Sequence, residues 1–167
     1  MDLLVIRHAR AEDREEFAAT GQPDSERPLT PKGIRRMTKA ARGLRSLVPV
    51  IDLLVSSPFR RAVETTEIIS EAYGKMEYVL RDELSSDATP PRLIAWLAGE
   101  KHRGVLCIVG HEPDLSELIE ALLTDQSEAP AKLKKGSATL LRFKGPVAAS
   151  SGRMQWHHTA RELGSLV

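Results

Sequence analysis

Leu3-Leu4-Val5-Ile6-Arg7-His8-Ala9-Arg10 opens the chain with four apolar residues that run straight into an arginine and a histidine. A continuous apolar run closed by polar groups reads as a central strand of a parallel or mixed sheet. Its carboxyl end then delivers Arg7 and His8 to the crevice in which open α/β sheets hold ligands. Two later runs close in the same way. Ile51 to Val55 leads into Ser56-Ser57-Pro58-Phe59-Arg60-Arg61-Ala62, and Val105 to Val109 breaks at Gly110-His111-Glu112-Pro113. With these strands as parallel neighbours, two histidines and at least two arginines meet at one edge of one sheet.

Helix signals fill the intervals. Thr30 can cap free backbone N–H groups and Pro31 suits a first helical position. Ile34, Met37, Ala41, Leu44 and Leu47 follow at helical spacing, with basic residues between them. After the second run, Val63, Thr66 and Ile69 are expected to form a helix's inner face, with Gly74 at its end. Glu77 to Leu80 reads as a short strand. Pro90-Pro91 opens a helix that carries Leu93, Ile94 and Leu97 inward, and Asp114 heads another through Leu115, Leu118, Ile119, Leu122 and Leu123. Glu12 to Glu26 is polar and bears Gly and Pro, so it reads as loop with a short helix near Glu15 to Ala19. The tail holds two strands, Ala138 to Phe143 and Arg153 to His157, and a short helix near Arg161. Strands alternating with helices predict an α/β fold with a mostly parallel sheet, in a single domain over residues 1–167.

Composition narrows the function. The 167 residues hold 24 Lys and Arg against 23 Asp and Glu, and a net charge of +1 exerts no global pull toward nucleic acid or an anionic membrane. Aromatics are 4% of the chain, too few for a base-stacking surface. One cysteine, Cys107, leaves no internal disulfide and no cysteine metal cluster, which suits a reducing compartment. The N-terminus lacks a basic region followed by a long apolar one, and no segment approaches the roughly 20 apolar residues that span a bilayer. The expectation is a soluble, cytoplasmic, monomeric protein with no membrane partner.

The converging residues have a clear chemical use. Arginines hold a phosphate dianion bidentately and stay charged at all relevant pH. A neutral imidazole among them can attack phosphorus. A second histidine can donate to the equatorial oxygens as charge moves in the transition state.

Those same residues carry a family resemblance. Arg7-His8-Ala9 is similar to the Arg-His-Gly signature of the histidine phosphatase superfamily, the phosphoglycerate mutase-like proteins. Ser56-Ser57-Pro58-Phe59-Arg60-Arg61-Ala62-Val63-Glu64-Thr65 resembles its second block, and Gly110-His111 its third. Arg27-Pro28-Leu29-Thr30-Pro31-Lys32-Gly33 resembles the block between the first and second. The blocks occur in order over nearly the whole chain, and the short length resembles the bacterial SixA-type phosphohistidine phosphatase branch. The resemblance implies a three-layer α/β/α fold and a phosphatase that needs no metal or other cofactor. It implies His8 as the nucleophile, Arg7 and Arg61 as the phosphoryl clamp, His111 as the group completing the pocket, and Arg27 as a further phosphate contact. Arg61 matches rather than Arg60 because it directly precedes Ala62. Two departures stand out. Ala9 replaces the commoner glycine, which strains the chain only if the backbone there is left-handed. Ala160 stands where the family's ending usually has proline, at a helix start.

Larger relatives draw a general acid from the middle of the chain, where Asp82, Glu83 and Asp87 lie and Glu83 matches best. A phosphohistidine substrate relaxes that need, since imidazole has a conjugate-acid pKa of about 6.5 and leaves more easily than an alkoxide. The short Leu80 to Pro90 segment also replaces the lid of larger relatives. An open pocket suits a phosphorylated side chain on another protein, the expected partner. A small-molecule phosphomonoesterase and a phospho-ligand binding module remain alternatives. Other polar residues have plainer readings. His157 and His158 are adjacent on a strand and point to opposite faces, so they do not ligate one ion easily. His102 falls in a charged turn, Cys107 and the tryptophans read as packing, and Lys132, Lys134 and Lys135 as a solvated turn or an anion-attracting rim.

Overall fold

A computed structural model describes residues 1–85, 87–101 and 104–167; His102 lies outside the described residues. Strand β1 (Asp2–Arg7) occupies an interior place in a six-stranded sheet. The others are β2 (Leu53–Ser56), β3 (Val79–Leu80), β4 (Val105–Gly110), β5 (Ala138–Phe143) and β6 (Gly152–His158), in the order β3-β2-β4-β1-β5-β6. Strands β3, β2, β4 and β1 pair in parallel, while β5 runs antiparallel to both β1 and β6.

Among the described residues the α-helices are α1 (Arg14–Ala18), α2 (Pro31–Leu47), α3 (Arg60–Ala72), α4 (Pro90–Gly99), α5 (Asp114–Leu122) and α6 (Ala160–Gly164), of which α2, α3 and α6 cover one face of the sheet and α4 and α5 the other. Alternation along β1 sorts the core into two halves. Leu4 and Ile6 pack with Met37, Ala41 and Leu44 of α2, Ala62 and Ile69 of α3 and Leu163 of α6. Leu3 and Val5 face the other way, toward Leu93 and Leu97 of α4 and Leu115, Leu118, Ile119 and Leu122 of α5. All four β1 side chains are fully buried. Each such burial contributes about 1.5–3 kcal/mol, which is why the run is continuously apolar. The result is the expected three-layer α/β/α architecture with a mostly parallel sheet.

Topology places the crevice. From β1 the chain leaves through α2 on one face to reach β2, and from β4 it leaves through α5 on the opposite face. Strands β1 and β4 are neighbours, so their connections diverge between them, and a ligand crevice opens beyond their carboxyl ends.

Some helix faces differ from the periodicity. On α2 the buried residues are Met37, Ala40, Ala41 and Leu44, whereas Ile34 and Leu47 are exposed. Both lie in the end turns of the helix. On α3 the inner face is Ala62, Thr65, Thr66 and Ile69, and Val63 is only half-buried, because the face is turned to bury Arg61 and Thr65 at the sheet edge. Strand β3 is two residues rather than four. Cys107 is buried in β4, Trp96 and Trp156 pack at core margins, and His157 and His158 do face opposite ways. The ring of His157 meets the Thr139 hydroxyl at 2.8 Å, and that of His158 stacks on Trp156.

Candidate active site

Three adjacent strand ends deliver the site. The His8 N–H donates to the Gly110 carbonyl at 3.0 Å, and the Ser57 N–H to the Val109 carbonyl at 2.9 Å. His8, Ser57 and His111 therefore follow directly from β1, β2 and β4. A cross-tie holds the turn after β1: the Ala9 N–H donates to the Thr65 hydroxyl at 3.0 Å, and that hydroxyl donates to the Arg61 carbonyl at 2.7 Å. Ala9 is not among the residues of positive φ, so its Cβ brings no strain. Ala160 likewise starts α6 without difficulty, behind a Thr159–Glu162 capping box.

His8 is 5% exposed, and its Nδ1 lies 2.7 Å from the Ala9 carbonyl oxygen. A carbonyl only accepts, so Nδ1 carries the proton and Nε2 keeps the lone pair. Burial pushes its pKa down to about 2, helped by His111, Arg61 and Arg7 and opposed by the Ala9 bond. The ring is a neutral base at ordinary pH. His111 stands with its ring centroid 5.2 Å away, its Nε2 2.7 Å from the Ser57 hydroxyl. That oxygen also accepts the Phe59 N–H at 3.2 Å, which fixes the hydroxyl beside the ring. Burial, and then Arg61, lower its pKa to about 3.

The arginines are braced from behind. Asp24 holds two of them: Oδ1 accepts from Arg27 Nε at 2.8 Å, Oδ2 lies 3.2 Å from Arg61 Nη1, and its carbonyl accepts from the same Nη1 at 2.9 Å. Arg27 Nη1 also donates to the Glu12 carbonyl at 2.8 Å, and Arg7 Nη1 to the Leu133 carbonyl at 2.7 Å. Burial, with Arg27 nearby, draws Arg61 down to about 10, still cationic at neutrality. Arg7 Nε, Arg61 Nε and His111 Nδ1 are buried and make no hydrogen bond within the protein. Leaving a buried donor unsatisfied costs about 1–3 kcal/mol, and both guanidinium Nε–H groups carry that cost here.

Arg7, His8, Arg27, Arg61 and His111 line one cavity of about 850 Å³, so the structure brings together five of the six residues singled out in the sequence. Glu83 is the exception. It sits half-buried in a short 3-10 turn, Asp82–Leu84, just after edge strand β3, and does not line the cavity. Four carboxylates do line it: Glu12, Asp13, Glu16 and Glu112. Those of Glu112 and Asp13 are engaged, Glu112 with the Ser116 N–H and hydroxyl and Asp13 as the cap of α1. Glu12 and Glu16 are exposed at the rim. Arg60 pairs with Glu64 and stays outside. Of the three lysines, only Lys135 reaches this cavity. Sequence reading had no role for Asp24, in a loop whose partners lie 3 and 37 residues away, nor for the contact of Ser57 with His111. Among the described residues no three His, Cys, Asp or Glu gather as a metal-ligand set.

Comparison with known proteins agrees with this geometry. The model of the histidine phosphatase superfamily (branch 1) matches residues 3–86. An uncharacterized protein of Picosynechococcus sp. is 32% identical, over 98% of this chain and 93% of its own length. Among solved structures, the protein histidine phosphatase SixA complexed with tungstate superposes with a TM-score of 0.81 at 21% identity, over 98% of this chain and 99% of that one. A Nakamurella multipartitia protein provisionally named phosphohistidine phosphatase SixA gives a TM-score of 0.76 at 26% identity, over 94% of both chains.

Proposed function

Because the chain belongs to the histidine phosphatase superfamily, we propose that it hydrolyses phosphohistidine on a partner protein by way of a phosphoryl group carried on His8. The observation that carries this reading is the His8 ring itself, its Nδ1 tied to the Ala9 carbonyl and its Nε2 lone pair free, in a cavity lined by five arginines, Arg7, Arg27 and Arg61 among them, and His111. Nε2 attacks phosphorus in line, the bond from phosphorus to the substrate imidazole breaks, and that imidazole, already protonated from solvent on its other ring nitrogen, leaves neutral with the electron pair. Water then attacks phospho-His8, releasing phosphate and restoring the lone pair, its proton passing to solvent. The clamp of Arg7, Arg27 and Arg61, together with His111, holds the phosphoryl oxygens through both steps.

The choice of substrate rests on the leaving group. Among the described residues no carboxyl that lines the cavity is buried in the manner an alkoxide's acid would need: Glu12, Asp13 and Glu16 are exposed and Glu112 is half-buried. Glu112 and Asp13 are committed elsewhere, and Glu83 lies away. An imidazole departs without such help. The breadth of the cavity, about 850 Å³, also admits a side chain presented by a protein surface.

The test is a phosphohistidine protein carrying labelled phosphate, assayed beside a panel of small phosphoesters. The phosphohistidine protein is expected to be turned over with the higher kcat/KM, with label trapped on His8 after an alkaline quench. His8→Ala should lose both label and turnover. Equal or better turnover of the esters overturns the substrate, and full activity in His8→Ala overturns the mechanism.

A further inference from the structure

Beside the catalytic cavity lies a second one, of about 360 Å³. It shares Arg7, Arg10 and Lys135 with the first and adds Lys32, Arg36 and Lys134. Six cations thus line it, and among the described residues no carboxylate does. Arg10, Lys32, Arg36, Lys134 and Lys135 make no ion pair with a described carboxylate. The fold adds to this charge. The first turn of α2, the positive end of a 17-residue helix, forms part of the wall through Lys32 and Gly33 and contains no acidic residue. Lys32 and Arg36 are also like charges one helical turn apart, an arrangement that destabilises a helix. Burial and the charges of Arg7, Arg10 and Arg27 draw the Lys135 pKa down. Among the described residues Asp13 offsets this crowding at Lys135 only in part, and a bound anion would offset the rest.

We propose that this second cavity is a subsite for an acidic side chain, Asp or Glu, lying near the phosphorylated residue of the same partner protein. It rests on the phosphatase reading above and goes beyond it by naming what flanks the phosphohistidine. Arg10 and Lys135 line both cavities, so one bound chain can reach from the first to the second. An extended peptide advances about 3.3 Å per residue, and a flanking acid two or three positions away spans that interval.

Two peptides of equal length test it, each with a non-hydrolysable phosphoryl-triazole in place of phosphohistidine, one with glutamates and one with glutamines two and three positions away. Calorimetry at low ionic strength should show the glutamate peptide binding the wild-type protein about fivefold more tightly or better, the effect of a few part-exposed ion pairs. In Lys32→Gln/Arg36→Gln, two exposed positions on α2, the preference should fall below about twofold. Equal binding of the two peptides by the wild type overturns the subsite, and a preference that survives in the double variant overturns its location. A sugar bisphosphate that outbinds its monophosphate while the peptides tie assigns the cavity to small diphosphates instead. Failure of both peptides to bind is a different result, since it removes the phosphohistidine reading along with the subsite.

Discussion

At the scale of single residues, the chemistry depends on which nitrogen of His8 is protonated. The Ala9 carbonyl decides that, and burial keeps the ring neutral. Nitrogen NMR of the free protein at about pH 6 should therefore show His8 as the neutral Nδ1–H tautomer, where an exposed histidine is mostly imidazolium. A protonated ring there contradicts the proposed nucleophile. Asp24 works at one remove, by aligning Arg27 and Arg61 without lining the catalytic cavity. Burial acts to raise its pKa, but the hydrogen bond from Arg27 and the charges of Arg61, Arg27 and Arg14 together hold it below the usual carboxylate range. Asp24→Asn leaves the two guanidiniums facing each other without a counter-charge. The kcat/KM should fall roughly tenfold or more, while Asp24→Glu recovers part of the loss. An Asn variant as active as the wild type removes Asp24 from the positioning role. Of the residues proposed to hold the phosphoryl group, Arg27 follows a 3-10 turn and was reached only through the resemblance, whereas Arg7, His8, Arg61 and His111 were legible because each lies at a strand end or in a helix's first turn. Asp24 was not, because nothing in a polar loop announces a partner 37 residues away.

At the scale of elements, α2 links the site to the C-terminus. Its Gly33 faces the Arg10 carbonyl so closely that a Cβ would collide with it, and its Gly43 meets the Leu163 carbonyl of α6 in the same way. The two glycines are ten residues apart, about 15 Å along the helix. Their replacement by alanine should separate two effects. Each should cost about 1–3 kcal/mol in denaturant unfolding, the usual result of overpacking against backbone. Gly33→Ala should also lower kcat/KM several-fold, because the displaced Arg10 turn leads directly from His8. Gly43→Ala should leave the kinetics near those of the wild type. Equal kinetic losses in the two variants would show that α2 transmits strain along its whole length. The start of α2 was readable from Thr30 and Pro31, and Thr30 does accept the Gly33 N–H at 3.0 Å. Its buried face was only half readable. Periodicity finds apolar positions, but Ile34 and Leu47 stay exposed, and which positions are covered depends on elements far off in sequence.

At the scale of the whole molecule, strand order decides that the site exists. Alternation of strands and helices predicted an α/β sheet, but not that β1 would lie between β4 and β5, since those pairings join segments about a hundred residues or more apart. The same order gathers two neutral histidines under a cationic rim, with a consequence for stability. His8 and His111 have folded pKa values of about 2 and about 3, below the ordinary value of about 6.5 that they regain on unfolding. Between those limits the unfolded chain binds more protons, so stability rises with pH there. It is fully present above pH 6.5 and drains away as the pH falls. One unit below the unfolded value, each fully neutral histidine costs about 1.4 kcal/mol, so unfolding at about pH 5.5 should show roughly 2–3 kcal/mol less stability than at about pH 7.5. The carboxylates with depressed pKa values, Asp2, Asp24 and Glu162 among them, lose their contribution only in more acid solution, which isolates the histidines in this window. In His8→Asn/His111→Asn most of the slope should vanish, leaving a remainder from His157, whose pKa burial also lowers. Urea unfolding at the two pH values measures this. A wild-type curve that is flat between them means that the rings take up protons in the folded protein, and with those protons the lone pair on which the attack at phosphorus depends is lost.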